Sequence, residues 1–330
     1  MSQDELAAPA DAATAPTAPP DAAPVVKPWP DGPLLPMDLA PGLTVGAERL
    51  ARLEAFFEAN CRNPDSAYQN FYRGYNYTAY SGPSFQRIAY CMAVLAEVAP
   101  PGGTVLDTGC FGAELLALKS ERPDVAIKGL SYEGCIATVQ ETGFEFDSVL
   151  TGDRLEVWVN KSDLERERMP YDDESLDVVS AFEVVEHFKY GPQNFMAEAH
   201  RVLKPGGALV VTTPNINSIL SIFKILDGQH PHEHHAYFRN PEYGVVHPYE
   251  FNHRELRALV EAYGFTVEVF TTFFREHYVH CADKMRVVLD FMEKAFPGTL
   301  ALGLPGDKFL VVARKTGPIA NPYPPEVFEG

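Results

Sequence analysis

The stretch Val105-Leu106-Asp107-Thr108-Gly109-Cys110-Phe111-Gly112-Ala113 leads from an apolar, β-rich run through a glycine-bearing turn into a helix-like segment at residues 114–120. Such a turn lets backbone approach a polar ligand closely, and the unpaired N–H groups of the helix N-terminus behind it favour negative charge. Outward from this turn the chain alternates. Residues 104–106, 126–130, 155–159, 177–181 and 208–212 read as short strands separated by helix-like segments, one of which sets Phe195, Met196, Ala199, Val202 and Leu203 on one side. Strands interleaved with helices imply βαβ units and a parallel sheet covered on both faces. Ligands of such sheets gather at the carboxyl ends of the strands, which puts one beside Gly109.

Beyond the fifth strand a long connection leads to a helix over residues 254–263, closed by Gly264 in the left-handed position that a helix C-terminus favours. Residues 265–270 read as a sixth strand. A helix with Met285, Val288, Leu289, Met292 and Phe296 in register precedes a seventh strand at residues 309–313. Upstream, Phe85, Ile88, Met92 and Leu95 mark a helix with one buried face, and the aromatic segment NFYRGYNYTAY at residues 70–80 reads as a cap or a lid. Residues 1–36 hold nine Pro and nine Ala, too little apolar surface to offset the entropy of ordering them. The resulting division is a disordered tail at 1–36, a helical aromatic cap at 37–99, a main domain at 100–316 with a His-rich insert at 214–253, and a tail at 317–330.

Lys and Arg number 27 against 45 Asp and Glu, a net charge of −18, which argues against broad capture of a phosphate backbone. Cys61, Cys91, Cys110, Cys135 and Cys281 are widely spread and follow no zinc-type spacing, as expected of thiols in a reducing, cytoplasmic setting. No secretion signal and no apolar run of about 18 residues is visible, so no integral membrane segment is expected.

The turn at 105–113 resembles the first motif of the class I S-adenosylmethionine-dependent methyltransferases, with Asp107, Gly109, Phe111 and Ala113 at the matching positions. Later matches follow in order. Residues 171–179 resemble the family's segment leading into strand four, and Phe182-Glu183-Val184-Val185-Glu186-His187-Phe188 resembles its motif after that strand. Residues 198–207 resemble the helix and turn before strand five. Thr212-Thr213-Pro214-Asn215 and the pattern from Glu255 to Phe265 are similar to the small-molecule branch that includes ubiquinone-type O-methyltransferases. A nicotinamide site would instead require G-x-G-x-x-G, which Gly109, Phe111 and Gly112 do not supply.

This resemblance implies a seven-stranded, mostly parallel Rossmann-like α/β sheet with helices on both faces and an antiparallel last strand. It implies S-adenosyl-L-methionine as the methyl donor and a small-molecule acceptor. The donor would contact Asp107, Gly109, Cys110 and Gly112 in the loop, Glu133 after strand two, Asp163 and Leu164 after strand three, and Phe182 and Glu183 after strand four. His187 stands beside the implied sulfonium, and a neutral imidazole, with a pKa of about 6.5, can accept a hydroxyl proton. His187 is therefore the candidate base for O-methylation, with His247 as the second.

Six histidines fall within residues 229–253, but their spacing matches no zinc motif, so no metal is expected and the insert reads as a polar lid over the acceptor. N- or C-methylation of a small molecule, a non-catalytic scaffold of the same fold, and an interaction module driven by the Pro/Ala tail remain the alternatives.

Overall fold

The computed structural model describes residues 45–61, 85–110, 113–131, 141–147, 154–232, 247–273, 282–295 and 306–328. The Pro/Ala tail, the aromatic segment at 70–80, Phe111, Gly112, Glu133 and the insert between residues 233 and 246 lie outside them.

Among the described residues eight strands form one sheet. They are β1 (Thr104–Thr108), β2 (Ala126–Ser131), β3 (Glu141–Asp147), β4 (Arg154–Lys161), β5 (Leu176–Phe182), β6 (Leu203–Pro214), β7 (Phe265–Phe273) and β8 (Lys308–Lys315). Their spatial order is β3-β4-β2-β1-β5-β6-β8-β7. Strands β4, β2, β1, β5 and β6 run parallel, whereas β8 is antiparallel to both β6 and β7. The seven expected strands and the reversed last one are present. The eighth, β3, is an edge strand antiparallel to β4; its sequence ETGFEFD mixes acids and a glycine that strands disfavour, so composition hides it.

Alternation along the strands explains the layers. Val105, Val178, Ala208, Val210, Leu310 and Val312 face one apolar cluster, shared with helices α1 (Ala47–Cys61), α2 (Phe85–Val98) and α3 (Ala113–Glu121). Their neighbours Leu106, Val179, Leu209, Val211, Phe309 and Val311 face the other, shared with α4 (Gln193–Val202) and α6 (His253–Ala262). Helix α5 (Ile219–Leu226) packs on α7 (Ala282–Ala295) through Ile219, Leu220 and Val288. A short α8 (Pro325–Phe328) follows β8.

Helix α6 begins with a capping box. Asn252 accepts through Oδ1 from the backbone N–H groups of Arg254 and Glu255, and the Asn252 N–H donates to Glu255 Oε2 at 2.8 Å. It ends as expected at Gly264, whose φ of +80° and contact with the Gly317 carbonyl, 2.4 Å from where a Cβ would stand, exclude a side chain.

Candidate active site

Strand order reverses between β1 and β5, since β2 lies on the far side of β1 and β6 on the far side of β5. A crevice opens at such a switch point, outside the carboxyl ends of the two strands. Side chains lock those ends together. Ser180 Oγ donates to Asp107 Oδ1 at 2.6 Å, and Thr108 Oγ1 donates to the Ser180 carbonyl at 2.7 Å.

The chain then bends at Gly109, with φ of +72° and its N–H donating to the Leu130 carbonyl at 2.7 Å. A Cβ there would stand 2.4 Å from Val184 Cγ2, so conformation and space both require glycine. Beside this bend is a hollow of about 390 Å³, the solvent at its mouth included, lined by Asp107, Gly109, Cys110, Glu114, Phe182 and the helix α2 residues Arg87 and Cys91. Burial, reinforced by the nearby Glu114 carboxylate, pushes the Asp107 carboxyl well above the usual carboxylate range, against the Ser180 hydroxyl bond. Burial likewise drives the Cys91 thiol up to about 12, which keeps it neutral.

At the ends of β2 and β4, Ser131 and Ser162 are buried and joined by the Ser162 N–H donating to the Ser131 carbonyl at 2.9 Å. The Oγ atoms of both are buried with no hydrogen-bond partner among the described residues. Asp163, next in sequence, is exposed and accepts through Oδ1 from the Glu165 N–H at 3.0 Å; Leu164 is buried in the core.

After β5 the backbone turns at Glu183, where a φ of +56° places a non-glycine residue in the left-handed region. Its Oε2 pairs at 2.6 Å with Nζ of Lys308, an ammonium with no solvent exposure at the start of β8. A 3₁₀ turn, Val185–His187, follows. Glu186 is fully buried; Oε2 accepts from Thr213 Oγ1 at 3.0 Å, while Oε1 has no hydrogen-bond partner among the described residues. Burial first, then the Glu183 carboxylate, raises Glu186 well above the usual range, against the pull of Lys308.

The half-buried His187 ring meets the His247 ring edge-on, centroids 4.7 Å apart. His247 is itself buried, with Nδ1 2.6 Å from Oε1 of the buried Glu250. Two histidines read separately in the sequence therefore meet. Asp107, Gly109, Cys110 and Phe182 meet around the hollow, Glu183 turns beside it, and Asp163 and Leu164 stand at the end of β4. Gly112 and Glu133 lie outside the described residues.

Sequence reasoning missed Arg87, Glu114 and Glu250, and it placed Glu186 in the motif after strand four without a donor-site role. Arg87 and Cys91 carried a usable signal, because a spacing of four places them on one helix face beside Ile88 and Met92. Glu250 carried none, since nothing in the insert marks it as the partner of His247.

Among known proteins, residues 85–269 match the family model described as "Methyltransferase domain". The chain is 28% identical over 187 residues to a "Probable S-adenosylmethionine-dependent methyltransferase" of Mycolicibacterium smegmatis, a match covering 56% of this chain and 57% of the relative. It is 33% identical over 131 residues to a dimethylglycine N-methyltransferase of Parasynechococcus marenigrum, covering 39% and 43%. The chain thus spans about half the length of the curated relatives it matches. Among solved structures, a SAM-dependent methyltransferase of Archaeoglobus fulgidus aligns with a TM-score of 0.44 at 18% identity, covering 75% of this chain and 98% of that one. An S-adenosylmethionine-dependent methyltransferase of Mesorhizobium loti aligns at 0.42 and 18%, covering 70% and 97%. With the family model matching more than half of its length, this chain belongs to the methyltransferase-domain family.

Proposed function

We propose that the chain is an S-adenosylmethionine-dependent methyltransferase that modifies a hydroxyl oxygen of a small polyhydroxy, sugar or phenolic metabolite. When bound, the donor supplies a methyl group on positive sulfur; the S–C bond breaks with its electron pair returning to sulfur, a C–O bond forms, and the hydroxyl proton leaves.

The residues of the crevice fit the donor. The buried Arg87 suits a carboxylate, and Asp107 and Glu114, which repel one another in the hollow, suit an ammonium. The unpartnered Oγ atoms of Ser131 and Ser162 suit a ribose or an adenine edge at the end of β2 and β4. Asp163 we assign to the adenine amine. Glu133 and Gly112 stay in the proposed donor site on resemblance alone.

The single observation that carries O-methylation is the pairing of His187 with His247, the latter oriented by Glu250, one turn beyond the Val184 that packs on Gly109. A hydroxyl is a poor nucleophile until its proton is removed, and a positioned imidazole does this. Similarity to a dimethylglycine N-methyltransferase favours a second reading, transfer to a small amine, which needs no such base. We place the protein in a reducing cytoplasm, where the buried thiols of Cys91 and Cys110, neither joined in a disulfide, persist.

The test has two arms. Calorimetry with S-adenosylhomocysteine should register binding; none at high micromolar concentration overturns the enzymatic reading. With a hydroxylated acceptor, His187→Gln should lower turnover by about 10²–10⁴-fold and remove the limb of the pH profile near neutrality. Unchanged activity from pH 6 to 9 would leave transfer to nitrogen as the better account.

A further inference from the structure

We propose that Glu186, His187 and His247 bind a divalent first-row transition-metal cation. The ligand atoms of these three side chains lie within 4.8 Å of one another, although the two histidines stand sixty residues apart in the chain. Bonds of about 2.0–2.2 Å around one ion set such atoms roughly 3–3.5 Å apart, so the three side chains would close on the ion by roughly 1.5 Å at most.

Three independent features point to a cation. Glu186 Oε1 is buried with no hydrogen-bond partner while Oε2 is held by Thr213, so one oxygen is fixed and the other is available. A buried polar atom left in this way is costly, and a cation satisfies it. His247 has its Nδ1 on the Glu250 carboxylate, the arrangement in which a second carboxylate fixes the tautomer of a metal-bound imidazole and presents Nε2. Finally, Glu186 stands with the two imidazoles and Glu250 against His247, while Glu183, the other acid of the turn, is paired with the buried Lys308 ammonium.

Two imidazoles and one carboxylate suit Mn, Fe, Co or Zn; Ca and Mg prefer sites built of oxygen. A second cluster, Asp107, Cys110 and Glu114, lies in the donor hollow itself and belongs to that site.

Three protein ligands leave open positions on the ion. Resting on the proposed O-methylation, those positions take two adjacent oxygens of the acceptor, as in a vicinal diol or a catechol. An oxygen bound to the cation loses its proton to solvent more readily, so with the ion seated the imidazoles act as ligands, and His187 acts as base only in the metal-free protein.

The experiment uses the full chain, stripped with a chelator and titrated with Co²⁺, following the visible absorption of the bound ion and calorimetry with Mn²⁺. The expected result is one equivalent bound per chain, at least tenfold weaker binding in Glu186→Gln and His247→Gln, and about 10–100-fold weaker binding in Glu250→Gln. Retained affinity for S-adenosylhomocysteine verifies that each variant is folded, and the half-buried His187→Ala keeps the test open if a buried variant fails. No cobalt spectrum at millimolar metal, or a spectrum unchanged in the Glu186→Gln/His247→Gln double variant, overturns the site. Loss of homocysteine-derivative binding with cobalt binding intact overturns the methyl-transfer reading alone.

Discussion

Gly109 concentrates the demands of the crevice in one residue. Its left-handed backbone costs a non-glycine residue roughly 1–2 kcal/mol, and Val184 already fills the space of a Cβ. Gly109→Ala should therefore lower unfolding stability by at least about that amount. It should also weaken S-adenosylhomocysteine by tenfold or more in calorimetry, because the bend must shift away from Val184. An alanine variant of unchanged affinity would disconnect this bend from the donor. Asp107 gives a pH signature. Its folded pKa is raised, so the unfolded chain gives up this proton first, and stability declines as pH climbs from the ordinary carboxylate range of about 4 toward the raised folded value. Asp107→Asn removes that slope. Denaturant melts of both proteins at pH 5 and pH 8 should show the variant gaining on the parent at the higher pH; a constant difference would contradict it.

At the scale of elements, the segment that delivers His247 and Glu250 runs directly into the capped start of α6. Replacing the cap, Asn252→Ala, should lower stability by about 1 kcal/mol, read as a shift in the denaturation midpoint without a change in its slope. The strands and the end of α6 were legible from the chain because their signals are local: Gly264 after the last turn, and apolar runs such as residues 177–181. The hollow was only partly legible. Asp107 and Gly109 belong to a contiguous motif, whereas Arg87 reaches them from a helix twenty residues upstream, whose spacing marks it as lying on the buried face but not what it meets there. The pairing of His187 with His247 was illegible for the same reason, since a contact between segments depends on strand order and no periodicity encodes it. Strand β3 was hidden by its composition and became a strand because β4 offered it an edge.

For the whole molecule, a single sheet supplies both sides of the crevice: β1 and β2 contribute the bend and Ser131, and β5, β6 and β8 contribute Glu186, Thr213 and Lys308. A ligand bridging these strands is coupled to the folding of the entire sheet. At about 100 times its dissociation constant, S-adenosylhomocysteine should raise unfolding stability by about 2.7 kcal/mol, seen as a rise in melting temperature of which Gly109→Ala loses about half or more. Among the described residues no helix is long and apolar enough to cross a membrane.

The ion pair between Glu183 and Lys308 joins the turn after β5 to a strand that, among the described residues, leaves the ribosome after the other seven and then inserts between β6 and β7. Until that insertion, the Glu183 carboxylate lacks the Lys308 ammonium, which favours solvent entry there over closure. Assembly order is thus tied to one lysine: a chain ending before residue 308 lacks the ammonium that pairs with Glu183 and leaves open the edge of β6 that β8 covers.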